Sequence, residues 1–311
     1  MLKNRSIVLI LFLLFTSFTS YPTTNVPVLK ICFTGDLLLD RGVRNVIEHR
    51  GADVLFKGTD SLFRQMDYVI SNLECPVTSV ASPLNKRFIF RAEPMWLPSL
   101  KKAGITHLCM ANNHCNDQGR NGIIETYRNI RKFQMTPVGF CKTQQEGLSP
   151  ILIQKKGKTI ALFNSALLPL ENWMYLPDYP DIVMATADKL SVAISHYKKK
   201  HPEDIVIVIL HWGIEYSPRP IARQVYQARM LIDAGANAII GHHPHVIQPI
   251  LFYKGKPIAY SLGNFIFDSS RKDANIGMML EFRISNDIKI IRHTYEIKNC
   301  IPKLINKQMV N

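Results

Sequence analysis

Five apolar runs in this 311-residue chain stop at side chains that can ligate a metal or move a proton. Val28–Gly35 runs into Asp36, and Tyr68–Leu73 into Glu74. Ile105–Ala111 ends at Asn112, Asn113 and His114, and Asp204–Leu210 ends at His211. Ala236–Gly241 is followed by His242, His243 and His245. Each residue alone has an ordinary explanation: a histidine beside a strand is commonly hydrogen-bonded in a core, and an Asp after Gly is commonly a turn or a cap. Their agreement is what points to chemistry, because the ligand crevice of an α/β sheet lies beyond the carboxyl ends of its strands. Carboxylate, amide and imidazole groups then share one rim. Oxygen and nitrogen donors without obligatory thiolate favour Zn, Mn or Fe over a structural cysteine–zinc site. The His-x-His spacing of His243 and His245 predicts two rings on one side of an extended backbone restrained by Pro244. Asp36 and His211 would arrive from neighbouring strand ends, and His242 would point away, outside the ligand set.

The elements that must position these groups come in two kinds. Val28–Phe33, Tyr68–Ser71, Ile105–Met110, Thr159–Phe163, Ile205–Leu210 and Ala236–Ile240 are short runs rich in β-branched residues, as in strands buried on both faces. Helical patterns lie between them: Ile123, Tyr127, Ile130 and Phe133 in one, Val225, Arg229 and Ile232 in another. Farther on, the runs Pro249–Tyr253 and Pro257–Tyr260, then Gly277–Ile284 and Ile288–Ile297, are joined by hairpin-like turns at Lys254-Gly255-Lys256 and Asn286-Asp287. The expected fold is α/β, a four-layer αββα sandwich of two mixed β-sheets, over residues 26–300. Residues 301–311 are expected to form a C-terminal tail.

Residues 1–25 read as a signal peptide or N-terminal anchor. Lys3 and Arg5 precede the apolar run Ile7–Phe15, which is short for a membrane span, and no Cys follows at once as in a lipoprotein. The protein is therefore expected to be extracytoplasmic, with membrane association through its N-terminus. Six cysteines lack finger-like pairing and are expected as buried free thiols. The net charge of +14, from 38 Lys and Arg against 24 Asp and Glu, favours a polyanionic partner. No zinc-finger spacing, RNP-like aromatic motif or dense basic arm is present, so nucleic acid is not expected. The run Lys198-Lys199-Lys200 suits a solvated helix end.

Six segments carry a family resemblance, in the family's order and across about residues 29–268. They are Gly35–Arg41, Ser71–Glu74, Ala111–Gly119, His211–Tyr216, Gly241–Gln248 and Tyr260–Asp268. Together they resemble the CapA proteins, the poly-γ-glutamate capsule family, which are similar to calcineurin-like metallophosphoesterases. The resemblance implies that fold, with one or two divalent metal ions. It makes Asp36 the first-strand metal carboxylate and puts Glu74 where the superfamily has its bridging carboxylate. Asn113 matches a metal-ligand amide and His114 the residue near the leaving group. His211, His243 and His245 match the metal histidines. Two positions depart from the superfamily: Leu38 stands where a His is usual, and Asn72–Glu74 replaces the bridging Asp.

On this reading His114, held by Asp117 or a neighbouring carboxylate, is a general acid, and Arg41 holds an oxygen pair in its planar fork. Glu215, Tyr216 and Asn264 frame the substrate crevice. Two functional classes stay open. One is a hydrolase of a phosphoester or γ-glutamyl-type amide in a phosphorylated envelope substrate or acidic polymer. The other is an accessory protein that binds an acidic polymer during capsule synthesis or export, because fold and family do not establish a reaction.

Overall fold

The computed structural model describes residues 27–310, so the expected signal or anchor segment, residues 1–25, lies outside the described residues. The first part of the chain runs β1 (Leu29–Leu37), α1 (Gly42–Arg50), α2 (Asp60–Phe63), β2 (Tyr68–Leu73), α3 (Leu97–Ala103), β3 (His107–Cys109), α4 (Gly119–Lys132) and β4 (Thr136–Val138). It continues through β5 (Phe140–Cys141), β6 (Ile151–Lys155), β7 (Lys158–Ala166), β8 (Asp181–Ile182), α5 (Ala187–Lys200), β9 (Ile205–His211), α6 (Ala222–Asp233) and β10 (Ala238–His242). The last part is mostly strand: β11 (Ile250–Tyr253), β12 (Lys256–Ala259), β13 (Asn264–Ile266), β14 (Ile276–Ile284), β15 (Ile288–Lys298) and β16 (Ile301–Val310). None of the described helices is long and apolar enough to cross a membrane.

Two mixed sheets result. One has the order β16-β15-β14-β1-β2-β3-β4, with β13 also paired to β1; the other has the order β11-β12-β10-β9-β7-β6. β1 to β4 are parallel, as are β7, β9, β10 and β12. Strand side chains alternate between faces, which explains why the central runs are apolar throughout. Ile207 and Ile209 of β9 face Ile31, Phe33 and Ile70 between the sheets. Val206 and Val208 face Leu190 and Ile194 of α5 and Leu231 of α6. On the far side of the first sheet, Val43, Leu100, Ile123 and Ile130 from α1, α3 and α4 close a third apolar layer. The expected four-layer αββα sandwich is the observed one. The described cysteines are free thiols, and burial pushes those of Cys32, Cys75 and Cys109 well up.

Three expectations need correction. Residues 301–310 are not a tail: they form β16, paired antiparallel to β15 from Lys298↔Ile301 to Ile290↔Val310. The hairpin turns at Asn299 and Cys300, both with left-handed φ (50° and 64°), a two-residue turn without the usual glycine signal. β3 is shorter than the run Ile105–Met110. β1 is longer than its run and carries Asp36 inside it, because β13 extends the ladder there, with Asn264 in register with Asp36.

Two glycines permit this crossing of strands. A Cβ on Gly35 would lie 2.0 Å from the Gly263 carbonyl oxygen, and one on Gly241 would lie 2.0 Å from that of Tyr260. Each glycine directly precedes a site residue, Asp36 or His242, so close backbone approach brings the polar groups together. Gly35→Ala is therefore expected to destabilise the fold by about 1–3 kcal/mol, the usual range for overpacking, as read from a chemical denaturation midpoint. An unchanged midpoint would show that β1 and β13 can part without penalty.

Candidate metal centre and its crevice

The slot between the sheets turns from apolar to polar at one end without changing face. Ile70 is followed on its face by Asn72, Ile209 by His211, and Ile240 by His242. After the register shift in β1, Asp36 lies level with Asn72. Asp36, Asn72, Glu74, His211, His242, His243 and His245 are all buried. Apolar side chains line the slot beneath them, so water reaches these groups only from the rim.

Asp36 is the hub. Its Oδ1 accepts a hydrogen bond from Asn72 Nδ2 at 2.8 Å, and its Oδ2 accepts one from the His243 backbone N–H at 3.4 Å. His242 Nδ1 and His245 Nδ1 lie 3.2 and 3.3 Å from its two oxygens. Burial works against ionising Asp36, but the rings of His242 and His245 outweigh it and hold the carboxyl well below its usual range. His245 is also subject to burial, which opposes its charge; Glu74 and Asp36 overcome this and raise it to about 10. Its Nδ1 also lies 2.9 Å from Asn264 Oδ1. Burial and the charge on His245 depress His243 to about 3, and burial and His243 hold His211 well below the usual range.

Glu74 is the exception to this pairing. Both of its oxygens are buried and accept no hydrogen bond among the described residues, and Nδ1 of His243 is likewise without a partner. Nε2 of His211 and Nε2 of His245 each stand 3.6 Å from Glu74 Oε1, beyond hydrogen-bond range. Burial, reinforced by Asp36, pushes the Glu74 carboxyl well above its usual range. Donor atoms of Glu74, His211 and His243 lie within 4.8 Å of one another, as do those of Asp36, Glu74 and His245. Asn113 Oδ1 is 2.7 Å from His211 Nε2 and belongs to the same gathering. Orphaned buried donors of nitrogen and oxygen, with no thiolate, fit a divalent cation.

The backbone reaches this arrangement by a route other than the extended His-x-His expected. β10 ends at His242, and His243 and His245 have positive φ (98° and 57°), so the chain bends back at each. Such conformations cost of order 1–3 kcal/mol each and gather at functional sites. His242, expected to point away, instead faces Asp36: it is in register with His211 on the adjacent parallel strand, so both rings emerge on the same face.

Beside the cluster lies a crevice of about 290 Å³, lined in part by Lys86, Arg87, Asn113, His114, Glu215 and His243. His114 Nδ1 lies 2.9 Å from Asp117 Oδ2, and its ring packs on Phe90. Lys86, which the sequence did not mark, is buried and bonds Asp117 Oδ1 at 2.5 Å, the Asn113 carbonyl at 2.6 Å and Asn116 Oδ1 at 2.8 Å. Within Asn85-Lys86-Arg87 it looks like any surface lysine. Glu215 is exposed, yet it brings an oxygen within 4.8 Å of the His243 and His245 donors.

Arg41 and Asn264 are engaged by protein partners, and Tyr216 stands at the edge of the cluster, its ring centroid 5.9 Å from that of His245. Arg41 is engaged by Asp268, through Nε to Oδ1 at 3.2 Å and Nη2 to the carbonyl at 3.1 Å, and lines a different hollow with Asn299 and Cys300. Asn264 is fully buried and its amide is spent on His245 and the Ala274 carbonyl, so it orients a ligand rather than touching substrate. Tyr216 stands at the rim, its N–H bonded to the Pro244 carbonyl and its ring under the Arg271 guanidinium. Leu38 is buried in the helix-side layer, away from the cluster.

Comparison with solved structures gives the class. The chain matches NAD nucleotidase (NadN) of Haemophilus influenzae over 90% of its own length and 55% of that protein's, at 10% identity and a TM-score of 0.53. The fold is that of the calcineurin-like metallophosphoesterases. Within that fold the chain belongs to the family of the bacterial capsule synthesis protein PGA_cap, whose model matches residues 30–269. It is 34% identical over 263 residues to the PGA biosynthesis protein CapA of Bacillus subtilis, covering 84% of this chain and 69% of that one. To the capsule biosynthesis protein CapA of Bacillus anthracis it is 29% identical over 265 residues, covering 83% and 64%. This chain thus spans about two thirds of the length of these relatives.

His243→Ala and His245→Ala are each expected to abolish stoichiometric binding of Zn, Mn or Fe in purified protein, as read by elemental analysis. His242→Ala removes a ring from the side of Asp36 and is expected to weaken affinity about 10- to 100-fold, as loss of a supporting partner does. Unchanged metal content in the first two variants would overturn this ligand set.

Proposed function

We propose that this protein is an exported, metal-dependent hydrolase of capsule or envelope polymer metabolism, acting on a phosphoester or a γ-glutamyl-type amide bond. The observation that carries this reading is Glu74, a buried carboxylate with no hydrogen bond to either oxygen and imidazoles on three sides. An ionised carboxylate in such a position costs several kcal/mol unless a cation is paired with it. Asp36, Glu74, Asn113, His211, His243 and His245 would hold that cation, with Glu215 at its open side. Bound there, a divalent metal would supply an activated water, its pKa lowered to near neutrality, and would polarise the bond under attack.

The remaining chemistry falls to groups in the crevice wall. Asp117 accepts from His114 Nδ1–H, which leaves Nε2 to hand a proton to the departing oxygen or nitrogen. Lys86 holds Asp117 in place by an ion pair and fixes the Asn113 backbone, so one buried ammonium steadies both the acid and a ligand. Arg87 lines the same crevice and attracts an anionic substrate. Among metals, the nitrogen and oxygen donors suit Zn, Mn or Fe.

A second reading, an accessory protein that binds acidic polymer without turning it over, draws support from Leu38, which leaves β1 with one ligand, and from the charge of +14. One experiment separates the two. Protein loaded with Zn, Mn or Fe is expected to cleave members of a panel of phosphodiesters and γ-glutamyl peptides, with kcat falling about 10²- to 10⁴-fold in His114→Ala. No turnover by any loaded form, together with salt-sensitive binding of polyglutamate, would establish the accessory reading instead. Export rests on Lys3, Arg5 and the run Ile7–Phe15. A reporter fused after residue 30 is expected to be active only outside the cytoplasm, and cytoplasmic activity would end that part of the proposal.

A further inference from the structure

The central strands of both sheets deliver their carboxyl ends to the metal centre, so their amino ends gather at the opposite face. Leu29 stands at that face, seven residues before Asp36 on β1, a span of about 23 Å at 3.3 Å per residue. The face is basic. The β6–β7 turn brings Lys155, Lys156 and Lys158 to it. The β11–β12 turn adds Lys254 and Lys256, and α5 ends there in Lys198-Lys199-Lys200. Basic residues at a helix carboxyl end have an ordinary cause in the helix dipole. Among the turn lysines, Lys155, Lys156 and Lys254 have carboxylate partners, whereas Lys158 and Lys256 have none among the described residues.

Of these eight lysines three are ion-paired, and the charges of Asp204 and Glu203 act on Lys198. Asp67 pairs with Lys155 at 3.1 Å and Lys156 at 2.6 Å, and Asp233 pairs with Lys254 at 2.5 Å. Among the described residues, Lys158, Lys199, Lys200 and Lys256 have no carboxylate within ion-pair distance, while the ion pairs at this face serve other lysines. Next to Lys254, the same hairpin exposes Leu251 and Phe252.

The chain also enters the fold here. The Val28 carbonyl accepts a hydrogen bond from Lys156 Nζ at 2.9 Å. Only residues 16–27 separate Val28 from the apolar run Ile7–Phe15. The point where the chain enters the fold, a patch of unpaired lysines and an exposed aromatic thus meet on one side of the molecule, and a face of this kind suits an anionic bilayer surface.

We infer that this amino-end face docks on anionic lipid and so turns the metal crevice, at the other end of the sandwich, away from the bilayer. The choice of lipid over polymer rests on the N-terminal segment of the functional proposal. The docking itself is read without measuring hydrolysis, so the two can fail separately. Each lysine within a Debye length of such a surface strengthens binding several-fold.

The test is co-sedimentation of the full chain with vesicles of phosphatidylcholine alone, or mixed with phosphatidylglycerol, at low and high salt. Wild type is expected to bind the mixed vesicles at least about tenfold more tightly at low salt, an advantage that high salt removes. Combining Lys158→Glu, Lys199→Glu, Lys200→Glu and Lys256→Glu is expected to abolish the advantage while circular dichroism and metal content stay as in wild type. Arg219→Glu with Lys272→Glu, in the segments that follow the carboxyl ends of β9 and β13, is expected to leave it intact. Equal binding of wild type to both vesicles, or an undiminished preference in the fourfold variant, overturns the inference. So does a fourfold variant that loses salt-sensitive polyglutamate binding but keeps its vesicle preference, since the face would then serve polymer.

Discussion

Two carboxylates, Asp36 and Glu74, are buried at the mouth of an apolar slot, and the rest of the structure is arranged around the electrostatic cost of keeping them there. Asp36 is compensated from within the protein by Asn72, by the His243 N–H and by the flanking rings of His242 and His245. Glu74 is not compensated in this way. The asymmetry sets opposite tendencies in two neighbouring acids, one held ionised and one pushed toward its neutral form. A cation among the donors removes the second tendency, which makes the site a receptor for positive charge before any reaction is considered. The three apolar layers supply the dry surroundings in which this imbalance is large.

The backbone shows the same economy. Regular strand carries Asp36, Asn72, His211 and His242 to the rim by alternation alone. Where alternation would send the next side chain to the wrong face, the chain bends: His243, His245 and Tyr216 all have positive φ. Behind them, rigid neighbours set the ligand orientations. Asn264, itself held by Ala274 and, through its carbonyl, by the Tyr295 hydroxyl, sets the ring of His245. The Lys86–Asp117 pair sets the ring of His114.

The sandwich was legible because burial on both faces writes continuous apolar runs, and because polar residues interrupt those runs at a single end. Asp36, Glu74, His211, His243 and His245 stood out for the second reason, and the structure brings their donor atoms close together. What was not legible depends on partners distant in sequence. Lys86 sits in an unremarkable loop, and only the fold sinks it against Asp117. Arg41 has the chemistry to grip an anion, but Asp268 already fills its fork. A simple count of alternation from His243 turns His242 away from the ligands, and it fails because His243 is no longer in the strand. β16 carries no hairpin signal in the sequence because Asn299-Cys300 turns the chain without glycine.

β1 opens the described fold, yet its neighbours on one side are β14 and β13, from the last fifth of the chain. Asp36 meets Asn264 across more than two hundred residues of sequence, and the ring that Asn264 orients belongs to the same cluster. Contacts of such long range form late, because the entropy of closing the intervening loop is lost before they can reward it. The first ligand of the centre therefore waits for nearly the last strands before it has a partner geometry. A growing chain presents scattered histidines and acids but no assembled cluster, so a cation that needs the whole donor set could be captured only once folding is complete.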